Sequence, residues 1–77
     1  MGYAHYNVDE TPLTALIDTS GGTVIYLGEA LPGTATSDPL WRIKKVNISG
    51  ANISIAWAAG TPTFQNIWDN RASYAYS

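Results

Sequence analysis

The fold is decided by residues 40–57, which read Leu40-Trp-Arg-Ile-Lys-Lys-Val-Asn-Ile-Ser49-Gly-Ala-Asn-Ile53-Ser-Ile-Ala-Trp57. β-Branched and aromatic side chains dominate two runs, and a glycine separates them, as in two strands joined by a turn. In the second run, Ile53, Ile55 and Trp57 alternate with small residues, which is the period of a strand. These residues predict an antiparallel strand pair.

The first of these strands carries apolar residues on two parities. Trp41 and Ile43 share one parity. Val46 and Ile48 share the other, and Lys44-Lys45 lies between the two sets. Because a β-bulge inserts one extra residue and restores the phase, we predict a bulge at the lysines, with both apolar sets facing one core.

Two further segments precede this pair. Residues 13–19 predict a strand or a short helical turn, and Ser20-Gly-Gly22 predicts a hairpin turn. Thr23–Leu27 is apolar on both parities and predicts a central strand that ends at Gly28. Residues 29–39 contain a Pro-Gly pair and predict a surface loop.

The last third of the chain is rich in aromatic residues. Residues 64–68 predict a short strand or one helical turn, and Asp69-Asn70 predicts a turn. Tyr74 and Tyr76 then alternate with small residues, which predicts a final strand that is held in the sheet or against another copy.

The predicted fold is all-β. About six short antiparallel strands with turns every eight to twelve residues or so are typical of a small sandwich or barrel. We assign residues 1–12 to an N-terminal arm or edge strand and residues 13–77 to a single β-domain.

Size favours association. In a chain of 77 residues, hydrophobic burial only narrowly exceeds an entropy loss of about 1.5 kcal/mol per residue. There is no Cys for a disulfide, and a single His cannot build a structural zinc site without other soft ligands. We therefore expect the chain to bind copies of itself or a larger partner.

Charge is unevenly distributed along the sequence. Residues 1–38 contain five acids and no Lys or Arg, whereas the rest contains four basic residues and one acid. Either one end of the fold is acidic and the other basic, which would favour head-to-tail contacts between copies, or the charges mix in space.

Residues able to perform catalysis are scarce. His5 is the single candidate for a general base near neutral pH, and the acids fall in turns, where carboxylates usually cap and solubilise. No phosphate-binding loop or spaced set of metal ligands is present. We predict no enzymatic activity, no cofactor and no metal site.

Nucleic acid and membrane are not expected as partners. Arg42, Lys44 and Lys45 beside Trp41 are a weak basic footprint on an acidic chain. No apolar stretch has the length of a membrane span, and the N-terminal residues do not resemble a signal peptide.

The aromatic residues allow two interpretations. Trp41 and Trp57 are predicted to be core residues, and Trp68 and Tyr76 to contact another subunit. Alternatively, exposed rings beside the amides and acids of residues 65–70 could form a platform for sugar stacking.

Residues 26–45 and 57–77 resemble small, uncharacterised proteins encoded in the structural gene regions of tailed bacteriophages. The resemblance carries no catalytic motif. It implies a virion component, assembled in the host cytoplasm, and leaves open its position in the head, neck, tail or fibre.

From the residues and the resemblance together, we expect a non-enzymatic virion structural protein. It would form homo-oligomers and dock on other virion proteins, by preference in the tail or fibre-attachment region. The alternatives are a glycan-binding module for host attachment and a head decoration protein. The predicted interface consists of Arg42, Lys44, Lys45, Trp68, Arg71, Tyr74 and Tyr76.

Overall fold

The computed structural model describes residues 12–77, which form one four-stranded antiparallel sheet with the strands in sequence order. The strands are β1 (Thr14–Asp18), β2 (Val24–Ala30), β3 (Arg42–Ser49) and β4 (Asn52–Trp57). The all-β class is confirmed. The sheet is open, so residues 12–77 contain four strands instead of about six, and they close neither a sandwich nor a barrel.

The sheet register runs without interruption through the two lysines of β3. Lys44 pairs with Leu27 on one side and Trp57 on the other, and Lys45 pairs with Tyr26 and Ala56. The predicted β-bulge is therefore wrong. The change of parity has another cause: the two ends of β3 place apolar side chains on opposite faces of the sheet.

Gly28 lies inside β2, which continues to Ala30. The prediction that this glycine ends the strand is wrong, because its role is packing. A Cβ at position 28 would lie 2.5 Å from Cε3 of Trp68 and 3.3 Å from Cε3 of Trp41. The strand has a glycine here because two indole rings occupy the space above its backbone.

The core of the chain lies on the face that contains Gly28. Its buried apolar residues are Ala30, Trp41, Ile43, Ala58 and Trp68. The rings of Trp41 and Trp68 are 6.1 Å apart and tilted by 40°, and the indole nitrogen of Trp41 donates a hydrogen bond to the carbonyl of Ala35 at 2.9 Å. Trp41 is thus a core residue as predicted, whereas Trp57 is half-buried on the opposite face.

The C-terminal segment is held against the sheet, but not as the predicted strand. Trp68–Ser73 forms a 3-10 helix, and beyond it an isolated bridge joins Tyr76 to Ala58. The amide of Trp57 donates a hydrogen bond to the carbonyl of Ser77 at 3.1 Å, and the amide of Ser77 donates one to the carbonyl of Trp57 at 3.2 Å. These bonds fasten the last residue beside the end of β4.

The acidic and basic parts of the sequence meet in the folded chain. Asp18 pairs with Arg71 at 2.9 Å, and Glu29 pairs with Arg42. For these four residues, the interpretation in which charges mix in space is the correct one. The proposed arm, residues 1–12, lies outside the described residues except for Pro12. No helix within residues 12–77 has the length and apolar character needed to cross a membrane.

Candidate interaction surface

The two faces of the sheet have different surroundings. The C-terminal segment packs on the face of Gly28, Trp41 and Ile43, which we call the covered face. Side chains that alternate with these form the open face. The open face consists of Ala15, Ile17, Ile25, Leu27, Glu29, Arg42, Lys44, Val46, Ile48, Ile53, Ile55 and Trp57.

The apolar side chains of the open face lack a cover within residues 12–77. Ile17, Ile53 and Ile55 are 64%, 63% and 60% exposed. The first belongs to edge strand β1 and the other two to edge strand β4, so the exposed surface spans the sheet from edge to edge. Neighbouring aliphatic residues on β2 and β3 are half-buried and join these edges into one apolar surface.

Cross-strand pairing arranges the open face in four rows. The first row contains the charged pair Glu29 and Arg42. In the second, Lys44 is flanked by Leu27 and Trp57, with Ile17 at the edge. The third row is Ile25, Val46 and Ile55, and the fourth is Ile48 and Ile53. All charge is therefore at one end, and the other end is aliphatic.

The charged end is internally organised. Nε of Arg42 donates to Oε1 of Glu29 at 3.1 Å, and its guanidinium lies 4.7 Å from the ring centre of Phe64. Nζ of Lys44 lies 5.3 Å from the ring centre of Trp57. Lys44 makes no ion pair with any acid of residues 12–77. Since Glu29 compensates only one of the two cations, the part of this end that residues 12–77 supply carries net positive charge.

A shallow depression of about 120 Å³ lies between the first two rows of the open face, lined by Ile17, Leu27, Glu29, Lys44 and Trp57 among others. Sites for small molecules usually enclose about 300–1,000 Å³. The depression is therefore smaller than a usual site for a small molecule.

The predicted interface residues fall on both faces. Arg42 and Lys44 lie on the open face, as the prediction that they share a strand face requires. The other predicted residues are on the side of the covered face: Lys45, Trp68, Arg71, Tyr74 and Tyr76. The structure therefore does not bring the seven residues together.

Arg71 is engaged within its own chain. Its Nε donates to Oδ2 of Asp18 at 2.9 Å, and its guanidinium lies 4.5 Å from the ring centre of Trp68. Hydrogen bonds from the hydroxyl and the amide of Ser20, together with Arg71, lower the pKa of Asp18 to about 2. The pair joins β1 to the 3-10 helix, which makes it part of the fold.

The two C-terminal tyrosines are also held by their own chain. The hydroxyl of Tyr74 accepts a hydrogen bond from the amide of Ile67 at 2.7 Å. The hydroxyl of Tyr76 donates one to the carbonyl of Arg71 at 2.7 Å. Burial, and secondarily the neighbouring Tyr26 and Tyr74, raise the pKa of Tyr76 to about 12. Both rings pack against the core.

Trp68 was expected to face another subunit, yet it is 7% exposed and lies in the core of its own chain. Its ring sits on Gly28, so little of the indole is left for another molecule. Within residues 12–77, every Trp and Tyr is buried or half-buried, and Phe64 is the exposed aromatic residue, at 40%. These rings do not form an exposed row.

Sequence reasoning missed the open face. Its signal was present in the apolar residues on both parities of β2 and in the change of parity in β3. We interpreted the first pattern as the mark of a central strand, which β2 is, and the second as a bulge that turns both apolar sets to one core. A second apolar face accounts for both patterns without a bulge.

The described residues offer little for catalysis. Residues 12–77 contain no group of three or more His or acidic side chains that could hold a metal ion. His5, Asp9 and Glu10 lie outside the described range.

Comparisons with known proteins returned nothing: no family model, no curated protein and no solved structure matches the chain.

Proposed function

We propose that this chain is a non-enzymatic structural protein of a bacteriophage virion, which forms homo-oligomers and docks on other virion proteins. The observation that supports it best is the open face, an apolar sheet surface without a cover in residues 12–77. The preferred position, in the tail or fibre-attachment region, rests on the resemblance of residues 26–45 and 57–77.

Physical chemistry connects the open face with assembly. A sheet that is apolar on a face must bury that face against another layer to be stable. Full burial of one Ile side chain contributes about 1.5–3 kcal/mol, so covering Ile17, Ile53 and Ile55 would stabilise a complex by several kcal/mol. Exposed apolar surfaces of this kind mark interaction sites in soluble proteins.

The predicted sandwich is consistent with this role. A sandwich needs two sheets, and residues 12–77 supply one. We propose that the second layer comes from a partner in the assembly, so the sandwich is completed between molecules.

Two measurements test the proposal. Light scattering on the purified full chain is expected to give a mass above the 8.3 kDa of one chain, falling on dilution. Antibodies against the chain are expected to label particles of a phage that carries its gene, at the tail or fibre attachment. A chain that stays monomeric and is absent from purified particles would contradict the proposal.

The same labelling separates the structural alternatives, because a head decoration protein would be labelled on the capsid. The glycan-binding alternative gains no support from residues 12–77, since their Trp and Tyr rings are not exposed. It predicts binding of the chain to host cells or surface polysaccharide that is lost in Phe64→Ala, the exposed aromatic position within residues 12–77.

A further inference from the structure

We infer that the open face is covered by the open face of a second copy of this chain, so that two four-stranded sheets form one sandwich. The two copies are related by a two-fold axis parallel to the strands, between β2 and β3. This inference deepens the proposed function, on which it rests, by naming the first partner and the residues that bind it.

The area of the open face fits a dimer. Its strands contain five to eight residues, and about 3.3 Å per residue and about 4.8 Å between strands give a flat footprint of about 400 Å². Accessible area exceeds footprint because side chains project from the sheet. Stable interfaces bury about 600–1,000 Å² per partner, a range that the open face reaches only with the area that its projecting side chains add to the footprint.

A second sheet matches the width of the face better than the N-terminal segment does. An extended segment is about 4.8 Å wide, so residues 1–11 laid along the sheet would cover about one strand of the four. These residues contribute Tyr3, Tyr6 and Val8 as large apolar side chains beyond the first residue. The open face has apolar side chains on all four strands, so a layer of equal width is needed to bury them.

The arrangement of charge selects the symmetry. An axis parallel to the strands places each row on the same row of the second copy, and β2 over β3. Glu29 then faces Arg42 of the second copy, twice by symmetry, and in the third row Ile25 faces Val46. Ile53 and Ile55 of β4 lie over the β1 edge of the second copy. An axis across the strands would instead set the Glu29–Arg42 row on the fourth row, with Arg42 over Ile48, where the charge loses water without gaining a partner.

Lys44 is compatible with this packing. Its Nζ already lies over Trp57, toward the β4 edge of the sheet. The aliphatic stem can therefore cover Leu27 of the second copy while the ammonium stays at the hydrated rim. The Glu29 carboxylates of the two copies compensate positive charge at the same end.

The first test compares two lysine substitutions on neighbouring residues of β4. Ile55→Lys places a charge in the third row, and Ser54→Lys places it on the other face, at an exposed position. Sedimentation should give twice the chain mass for wild type and Ser54→Lys. Ile55→Lys should raise the dissociation constant by at least about 10-fold, because each dimer would lose two isoleucine side chains from its interface and the new ammonium groups stay hydrated only by reaching the rim. Circular dichroism confirms that each variant folds.

The second test addresses the symmetry. Glu29→Arg alone and Arg42→Glu alone should each weaken dimers, because like charges then face each other. An equimolar mixture of the two variants should form a one-to-one heterodimer of wild-type affinity, since each copy then supplies the charge that the other lacks. Dimers of each variant alone with wild-type affinity would overturn the two-fold arrangement.

The outcomes separate this inference from the proposed function. A wild-type oligomer that Ile55→Lys leaves intact would overturn the pairing of open faces, while assembly would stand. A wild-type monomer at every concentration would overturn both self-assembly and the dimer.

Discussion

The covered face and the open face belong to the same four strands but are built from different side chains. On the covered face, Trp41 and Trp68 pack over Gly28, and Tyr74 and Tyr76 pack against the edge of this core. On the open face, isoleucine, leucine and valine form an even surface with charge at one end. Shape-specific aromatic packing therefore holds this chain's own fold, whereas the flat aliphatic layer stays exposed within residues 12–77 and is the surface that we propose binds a partner.

The largest expected contrast is between Trp68 and Ile53, which are 7% and 63% exposed. Trp68→Ala should lower the free energy of unfolding by about 3–5 kcal/mol, because it empties the centre of a small core. Ile53→Ala should cost less than about 1 kcal/mol in the dilute monomer, where the side chain is already hydrated. Urea unfolding at low protein concentration measures both, and equal losses would remove the distinction between the faces.

The next contrast is between Gly28, which packing requires, and Gly33, which the backbone conformation requires. Gly28→Ala should cost about 1–3 kcal/mol because the new methyl group overlaps the Trp68 ring. Gly33 has a φ of 89° and open space around it, so Gly33→Ala adds only backbone strain, about 1 kcal/mol.

A double-mutant cycle identifies the cause at Gly28. In a Trp68→Leu background, the smaller side chain leaves room for the methyl group, so the added cost of Gly28→Ala should fall. If the cost is the same in both backgrounds, the ring is not what requires the glycine.

The free energy of unfolding should also depend on pH, because Asp18 ionises on the covered face. Its pKa of about 2 lies below the usual 3.8, so the ionised carboxylate stabilises the folded state. This stabilisation is complete above about pH 4 and is lost as the pH falls through about 2. The midpoint of urea unfolding should therefore fall more steeply between pH 4 and about 2 for wild type than for Asp18→Asn. Asp69→Asn, at an exposed position, serves as the control and should follow wild type.

The smallest expected effect is at the turn beside the C-terminal segment. Ala59 has a φ of 57°, in the left-handed region, and Ala59→Gly should stabilise the fold by up to about 0.5 kcal/mol after the entropy of glycine is offset. Gly60→Ala should act in the opposite direction, because the φ of Gly60 is 74°, in the left-handed region, and the new Cβ would also displace the Ser77 hydroxyl, 2.8 Å away. Thermal unfolding of the two variants measures the difference in sign.

Much of the sheet could be predicted from local sequence. Alternation in residues 53–57 and the glycine turns identified the hairpins, since these signals depend on neighbours along the chain. Trp41 was identified as core for the same reason. The continuation of β2 through Gly28 was not predicted, because the glycine is required by its contact with Trp68, forty residues later in the sequence.

The candidate surface could be predicted only in part. Arg42 and Lys44 were correctly placed on one strand face by parity. Tyr74, Tyr76 and Trp68 were expected at an interface because aromatic residues are common there, but the same residues also fill small cores. Whether these residues lie at an interface or in the core depends on how residues 68–77 pack on the sheet. The spacing of apolar residues in the sequence does not predict that packing.

The most direct test of the account uses the absence of cysteine from the chain. Ile55→Cys and Ser54→Cys each introduce one thiol, on the open face and on the opposite face of β4. If the open face is where the chain assembles, labelling of the Ile55→Cys thiol slows as protein concentration rises, whereas the Ser54→Cys thiol reacts at a constant rate. Equal, concentration-independent labelling of both thiols would contradict the claim that the open face is where the chain assembles.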